Sequence, residues 1–206
     1  MFANKTVFVI DDDAELRDSV CALVASMGCH AQSFASGEDF LAIAPPSARG
    51  VVVADLRMPG MSGLDLQAKL LQRNRFLPVI ILTAYARTPI TVRAIQGGAV
   101  TVIDKPYHDD ILWDAIRDAM EKEEADWTAE QRRREICDRF ATLTPDERAV
   151  ADRILAGSPN KAIAYELRIS LRTVEKRRQA VLAKMKAESV AELVGLLIEA
   201  LNSQCP

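Results

Sequence analysis

Four short apolar runs in this chain each end on a residue able to handle phosphate or a hard cation. KTVFVI leads into Asp11 and Asp12, GVVVA into Asp55, PVIIL into Thr83, and AVTVI through Asp104 into Lys105. Runs this continuously apolar belong to strands buried on both faces, which calls for a parallel sheet with helices on each side. In such a sheet the ligand crevice lies at the carboxyl ends of the strands, so groups far apart in sequence meet there. One site assembled from four strand ends is therefore expected.

The intervening segments fit that sheet. Leu16, Val20, Leu23, Val24 and Met27 recur at helical spacing and stop at Gly28. HAQSF reads as a weaker second strand and SGEDFLAIA as a short helix ended by Pro45 and Pro46. LDLQAKLLQ, TPITVRAIQGG and the segment carrying Ile111, Leu112, Ala115, Ile116 and Ala119 complete five strand–helix pairs. Residues 1–120 are thus expected to form a doubly wound α/β domain on a five-stranded parallel sheet. Residues 121–142 are dense in charge and free of Gly and Pro, and predict a helical linker. Ile116, Met120 and Trp127 hint at a coiled-coil seam there, but Glu123 and Arg134 interrupt it, so a solvated helix is expected. Residues 143–206 hold four helical segments, PDERAVADRILAG, NKAIAYEL, LRTVEKRRQAVLAKM and SVAELVGLLIEAL, which predict a small all-α domain.

Net charge is −3, but the total conceals a patch: Lys161 to Lys186 holds eight basic residues against two acidic ones, a local +6 that leaves −9 elsewhere. The two ends of the chain therefore call for different partners. The four cysteines lack CxxC spacing, so buried or inert thiols are expected, without a zinc site or a disulfide framework. His30 and His108 are isolated. No apolar run approaches the roughly 20 residues that span a bilayer, and MFANKTVFVI has no signal-peptide core, so no membrane partner and a cytoplasmic location are expected.

A carboxylate that attacks phosphorus needs its own charge, and that of the incoming oxygens, offset by a hard cation. Asp12 and Asp55 are expected to bind Mg²⁺ directly, Asp11 through a water, and the Arg57 backbone carbonyl to fill another position. Lys105 offers a point charge to the phosphoryl group, and the Thr83 hydroxyl a hydrogen bond. Acids after strands are often mere helix caps, and Asp13 is expected to be one. Capping does not account for a threonine and a Lys-Pro at the next two strand ends.

In the basic domain Asn160 is expected to cap a short helix, Ala164 to permit a close crossing, and Arg168-Ile169-Ser170 to make the turn, with Ser170 capping the next helix. That is helix-turn-helix spacing. Val174, Val181 and Met185 share an inward stripe. Arg172, Glu175, Lys176 and Gln179 share the opposite one, where Lys can read guanine, Gln adenine and Glu cytosine in a major groove. Lys161, Thr173, Arg177 and Arg178 suit phosphates better. Charge runs often only solvate a surface, and the residues alone leave that alternative open.

FVIDDD, ADLRMPGMSG, LTA and DKPY together resemble the receiver domain of two-component response regulators, from Lys5 to about residue 121. LTPDERAVADRILAGSPNKAIAYELRISLRTVEKRRQAVLAKM resembles the LuxR-type helix-turn-helix throughout, and the whole chain is similar to NarL/FixJ-type transcriptional regulators, closest to the FixJ-like branch. The resemblance implies a flavodoxin-like receiver with Asp55 as phospho-acceptor, Asp11 and Asp12 as the acidic pair, Thr83 and Lys105 as the remaining site residues, and a cis Lys105–Pro106 peptide. It implies Mg²⁺ as cofactor, a sensor histidine kinase as donor, double-stranded operator DNA and RNA polymerase as partners, and a homodimer on phosphorylation. It implies no enzyme acting on a separate substrate, only acceptance and loss of the domain's own phosphoryl group.

The match has departures. Val102 stands at the switch position, where most receivers carry a Tyr or Phe that swings inward with the threonine, and the loop after Thr83 brings Tyr85 near the site. Arg177 stands where histidine is usual, which implies tighter, more salt-dependent phosphate contacts. A haloacid-dehalogenase phosphatase also uses Asp, Thr, Lys and Mg²⁺, but it needs a DxDxT segment, and Glu15 stands four residues after Asp11. An autoinducer-sensing regulator has no use for the strand-end acids, and an RNA-binding antiterminator would replace the helix-turn-helix.

Overall fold

The apolar runs pair side by side. β1 (Thr6–Ile10), β2 (His30–Phe34), β3 (Val51–Asp55), β4 (Val79–Thr83) and β5 (Thr101–Asp104) form a parallel sheet in the order β2-β1-β3-β4-β5. The structure, a computed structural model, describes residues 5–73, 76–84 and 88–202. The chain divides into two units, Met1–Trp127 and Thr128–Pro206.

Alternate residues of a strand face opposite sides of the sheet, and both sides are filled, which is why the runs are apolar without alternation. Phe8, Ile10, Val52, Ala54, Val79 and Ile81 pack against Phe40 of α2 (Gly37–Ile43), Leu66 and Leu70 of α3 (Gly63–Arg73), and Ala94 of α4 (Thr88–Gln96). Val7, Val9, Val51, Val53, Ile80 and Leu82 pack on the other side against Val20 and Val24 of α1 (Ala14–Ser26) and Leu112 and Ile116 of α5 (Asp109–Ala141). Phe8, Phe34 and Phe40 form a ring cluster with centroids 5.2–6.5 Å apart, each such contact adding roughly 0.5–1.5 kcal/mol beyond burial. Only Phe34 of β2 is buried. The weak signal of this strand is that of a sheet edge.

The register aligns the functional ends. Ile10 pairs with Ala54, Asp55 with Leu82 and Thr83 with Asp104, so Asp11, Asp55, Thr83 and Lys105 lie along one edge of the sheet. Asp13 caps α1, its carboxylate accepting from the amides of Glu15 and Leu16, as expected.

The helix α5 is continuous from Asp109 to Ala141, and the division between the units falls inside it. Glu123, expected to interrupt an apolar stripe in solvent, is instead buried at 1% exposure. Its carboxylate meets Arg49 Nε at 2.7 Å and Nη2 at 3.0 Å, and Lys5 Nζ at 3.3 Å. Arg49 also lies 4.7 Å over the Trp127 ring, which meets Phe76 edge-on at 5.9 Å. A buried charge is tolerable when paired, and pairing across 74 residues leaves no mark on a local pattern. Arg134 is exposed and pairs with Glu130, one turn earlier, as a solvated helix predicts.

In the second unit α6 (Pro145–Leu155), α7 (Asn160–Glu166), α8 (Leu171–Met185) and α9 (Val190–Asn202) share a core with Ile136 and Phe140 of α5. Val174, Val181 and Met185 are fully buried, as their stripe predicts. Thr144 and Glu147 form a capping box at the start of α6, an arrangement worth about 1 kcal/mol. Ser170 caps α8, and Arg168 adopts the left-handed conformation in the turn before it. Asn160 is not a cap: Pro159 occupies that position, and the Asn160 amide oxygen accepts from Arg178 at 2.8 Å. The expectation of buried or inert thiols fails at Cys137, which is disulfide-bonded, while Cys21 and Cys29 remain thiols. Sequence spacing reports no such tertiary pairing. Among the described residues no helix is long and apolar enough to cross a membrane.

Candidate functional site

Lys105, first residue after β5, joins the two buried acids. Its ammonium lies 3.0 Å from Asp11 Oδ2 and 2.5 Å from Asp55 Oδ1. Burial alone would lower the Lys105 pKa, but the hydrogen bonds to Asp55 and Asp11 outweigh it and hold the group above its ordinary value. Burial raises the Asp11 carboxyl above the usual range, against the Asp13 amide and Lys105, which favour the charged form. The remaining oxygens are also engaged: the Asp13 amide donates to Asp11 Oδ1 at 2.9 Å, and the Arg57 amide to Asp55 Oδ2 at 2.5 Å. The Lys105–Pro106 peptide is cis.

Thr83 is 1% exposed at the end of β4, and its carbonyl accepts the Lys105 amide at 2.7 Å. Asp12, next in sequence to Asp11, is exposed. Tyr85 lies outside the described residues. Val102 is half-buried on β5 and packs on the core under α2, α3 and α4.

Two residues to which sequence reasoning gave no part in the site shape it. Gly63 opens α3 so close to β3 that a Cβ there would stand 2.4 Å from the Asp55 carbonyl oxygen; the clue is the second glycine in MPGMSG. Arg17 of α1 donates to the Asp11 carbonyl at 2.7 Å and so ties down the loop after β1. A half-exposed arginine on a helix carries no such clue.

Three carboxylates and a carbonyl are hard oxygen donors, a set that suits Mg²⁺ in kind. Among the described residues no three acidic, histidine or cysteine groups stand in metal-holding geometry. The Lys105 ammonium sits between Asp11 and Asp55 and offsets their repulsion there.

The basic domain sorts its candidates into two groups. Lys161 on α7, and Arg172, Glu175, Lys176 and Gln179 on α8, are exposed. Thr173 is half-buried, its hydroxyl sharing a 2.8 Å hydrogen bond with Ser170. Arg177 is ion-paired with Asp146, and Arg178 donates to Asn160. The last two, expected on the surface for phosphates, are engaged inside the domain.

Residues 7–117 match the model of the response regulator receiver domain, and residues 141–197 that of the bacterial regulatory proteins of the luxR family. The transcriptional regulatory protein FixJ of Rhizobium meliloti (strain 1021) is 40% identical over 193 residues, 94% of this chain and 95% of that protein. The C4-dicarboxylate transport transcriptional regulatory protein DctR of Rhodobacter capsulatus is 39% identical over 190 residues, 91% of this chain and 96% of that protein. Among solved structures the response regulator StyR superposes with a TM-score of 0.87 at 34% identity, covering 95% of this chain and 98% of that one. Full-length FixJ from B. japonicum gives a TM-score of 0.58 at 38% identity, covering 96% and 98%.

Proposed function

The chain belongs to the two-component response-regulator family and controls transcription through a receiver domain joined to a LuxR-type DNA-binding domain; on that premise we propose that Asp55 accepts a phosphoryl group from a sensor histidine kinase and that this modification governs operator binding by α8. The observation that carries the assignment is the single ammonium of Lys105 bonded to both Asp11 and Asp55. A cation held between two carboxylates at a strand-end crevice is already positioned for an incoming anion.

In the transfer an Asp55 carboxylate oxygen forms a bond to phosphorus as the bond from phosphorus to the donor nitrogen breaks. The Arg57 amide on Oδ2 fixes the orientation of the attacking group. Lys105 would follow the negative charge from Asp55 onto a phosphoryl oxygen, and the Thr83 hydroxyl would donate to another. Mg²⁺, when bound, supplies the charge that offsets the carboxylates and phosphoryl oxygens; Asp11, Asp12, Asp55 and the Arg57 carbonyl would hold it.

Residues 1–120 would act as the receiver, 121–142 as the connecting helix and 143–206 as the DNA-binding domain, working in the cytoplasm. The partners are the kinase, double-stranded operator DNA, RNA polymerase and a second copy of the chain after phosphorylation. Acetyl phosphate with Mg²⁺ should attach one base-labile phosphoryl group per chain, and chelation of the metal should prevent it. Equal labelling in the presence of a chelator would contradict the metal-dependent site.

Val102 leaves the coupling step without an aromatic side chain at this position. It lines a cavity of 530 Å³ with Thr101, Asp104, Tyr107 and His108, which a ring at residue 102 would partly fill. Coupling needs only a difference in contact energy between two states. Val102→Phe should therefore shift the dependence of dimerisation on acetyl phosphate several-fold, read by sizing, whereas superimposable curves would remove residue 102 from the control of activation.

A further inference from the structure

The flanks of α8 are held by its own domain. On one side Arg178 donates to Asn160 of α7 at 2.8 Å. On the other, Arg177 and Lys184, two turns apart and so on one side of the helix, meet consecutive acids at the start of α6. Lys184 Nζ lies 2.6 Å from Glu147 Oε2, and Arg177 Nη2 is ion-paired with Asp146 Oδ2.

These two pairs differ. The Glu147 side chain is 12% exposed and also closes the capping box with Thr144, so its pair fastens α6 to α8. The Asp146 side chain is 67% exposed and takes no part in that box. The flank of a helix lying in a major groove faces a phosphodiester strand. Arg177 therefore has two anions within its reach, the Asp146 carboxylate and a DNA phosphate.

We propose that Asp146 withholds Arg177 from the DNA backbone and thereby lowers the sequence-independent part of the affinity, a specificity-determining role for a residue that reads no base. The proposal rests on α8 being the DNA-reading helix. A withheld Arg177 neutralises no phosphate and releases no counterion, and Asp146 repels the same strand. The exposed stripe of Arg172, Lys176 and Gln179 is untouched, so the ratio of operator to random-sequence affinity rises. An exposed ion pair is individually weak, which keeps the competition close enough for one substitution to tip it.

The test measures full-length protein on a mixed-sequence duplex spanning two adjacent major grooves, across a range of salt. Asp146→Asn should steepen the fall of log affinity with log salt by about 0.9 per bound recognition helix and tighten binding several-fold at low salt. Asp146→Glu, which keeps the charge, should retain the wild-type slope, and Asp146→Asn with Arg177→Gln should return to it. An unchanged slope in Asp146→Asn would overturn the proposal and leave Asp146 as a favourable charge at a helix start. Steepening that persists in the double variant would overturn it too, since Arg177 would not be the group released. Lys161→Ala separates failure here from failure of the reading beneath: a flattened slope shows that the domain binds the duplex, and an unchanged one removes both.

Discussion

Asp55→Asn should take up no phosphoryl group from acetyl phosphate and Mg²⁺ under conditions that label the wild-type chain. The amide has nearly the shape of the carboxylate but no nucleophilic oxygen, so the chemistry is lost without a change in side-chain volume. The fold should survive. Asp55 sits at the end of a fully buried strand, and Lys105 keeps its second partner, Asp11, at 3.0 Å. The substitution exchanges an ion pair for a hydrogen bond from the Lys105 ammonium to a neutral amide oxygen, a cost of about 1–2 kcal/mol. Intact-mass measurement with a urea unfolding curve checks both halves. Undiminished labelling of the variant would move the acceptor elsewhere, and an unfolded variant would show that the carboxylate is needed to hold the strand ends together.

The second large effect belongs to α8. Lys176→Ala and Gln179→Ala should each relax base preference at particular operator positions, by about 1–3 kcal/mol of discrimination against the wrong base. Lys161→Ala should instead weaken all sequences alike and reduce the salt slope by about one phosphate contact. The difference follows from placement: Lys176 and Gln179 lie exposed on the stripe opposite the buried Val174, Val181 and Met185, whereas Lys161 lies on the preceding helix. Affinities for an operator selected from random sequence, and for its single-base variants, give the measurement. Equal losses on every base variant for Lys176→Ala and Gln179→Ala would reassign both side chains to the backbone.

The strand ends were legible in sequence because each depends on local features: a run of β-branched residues, then a polar residue with a defined chemistry. Topology places those ends on one edge, so reading four runs was enough to bring Asp11, Asp55 and Lys105 together. The inward stripe of α8 was legible for the same reason, since helical periodicity is local. What escaped were pairings between distant segments. Glu123 looked solvated because its partners, Arg49 and Lys5, lie more than 70 residues away. Arg177 and Arg178 looked free because Asp146 and Asn160 come from other helices. Gly63 reads only as the opening of a helix until the Asp55 carbonyl is seen beside it. The length of α5 was legible only in part, since a charged helix gives no apolar stripe to follow.

Control of DNA binding by the Asp55 site is tested most directly by footprinting and affinity on an operator selected from random sequence, comparing the protein before and after treatment with acetyl phosphate and Mg²⁺, with Asp55→Asn alongside. The account predicts tighter binding after treatment and a two-fold symmetric footprint with half-sites in successive major grooves, about 34 Å apart, both absent in Asp55→Asn. Equal affinity in the two states, or the same gain in Asp55→Asn, would contradict it.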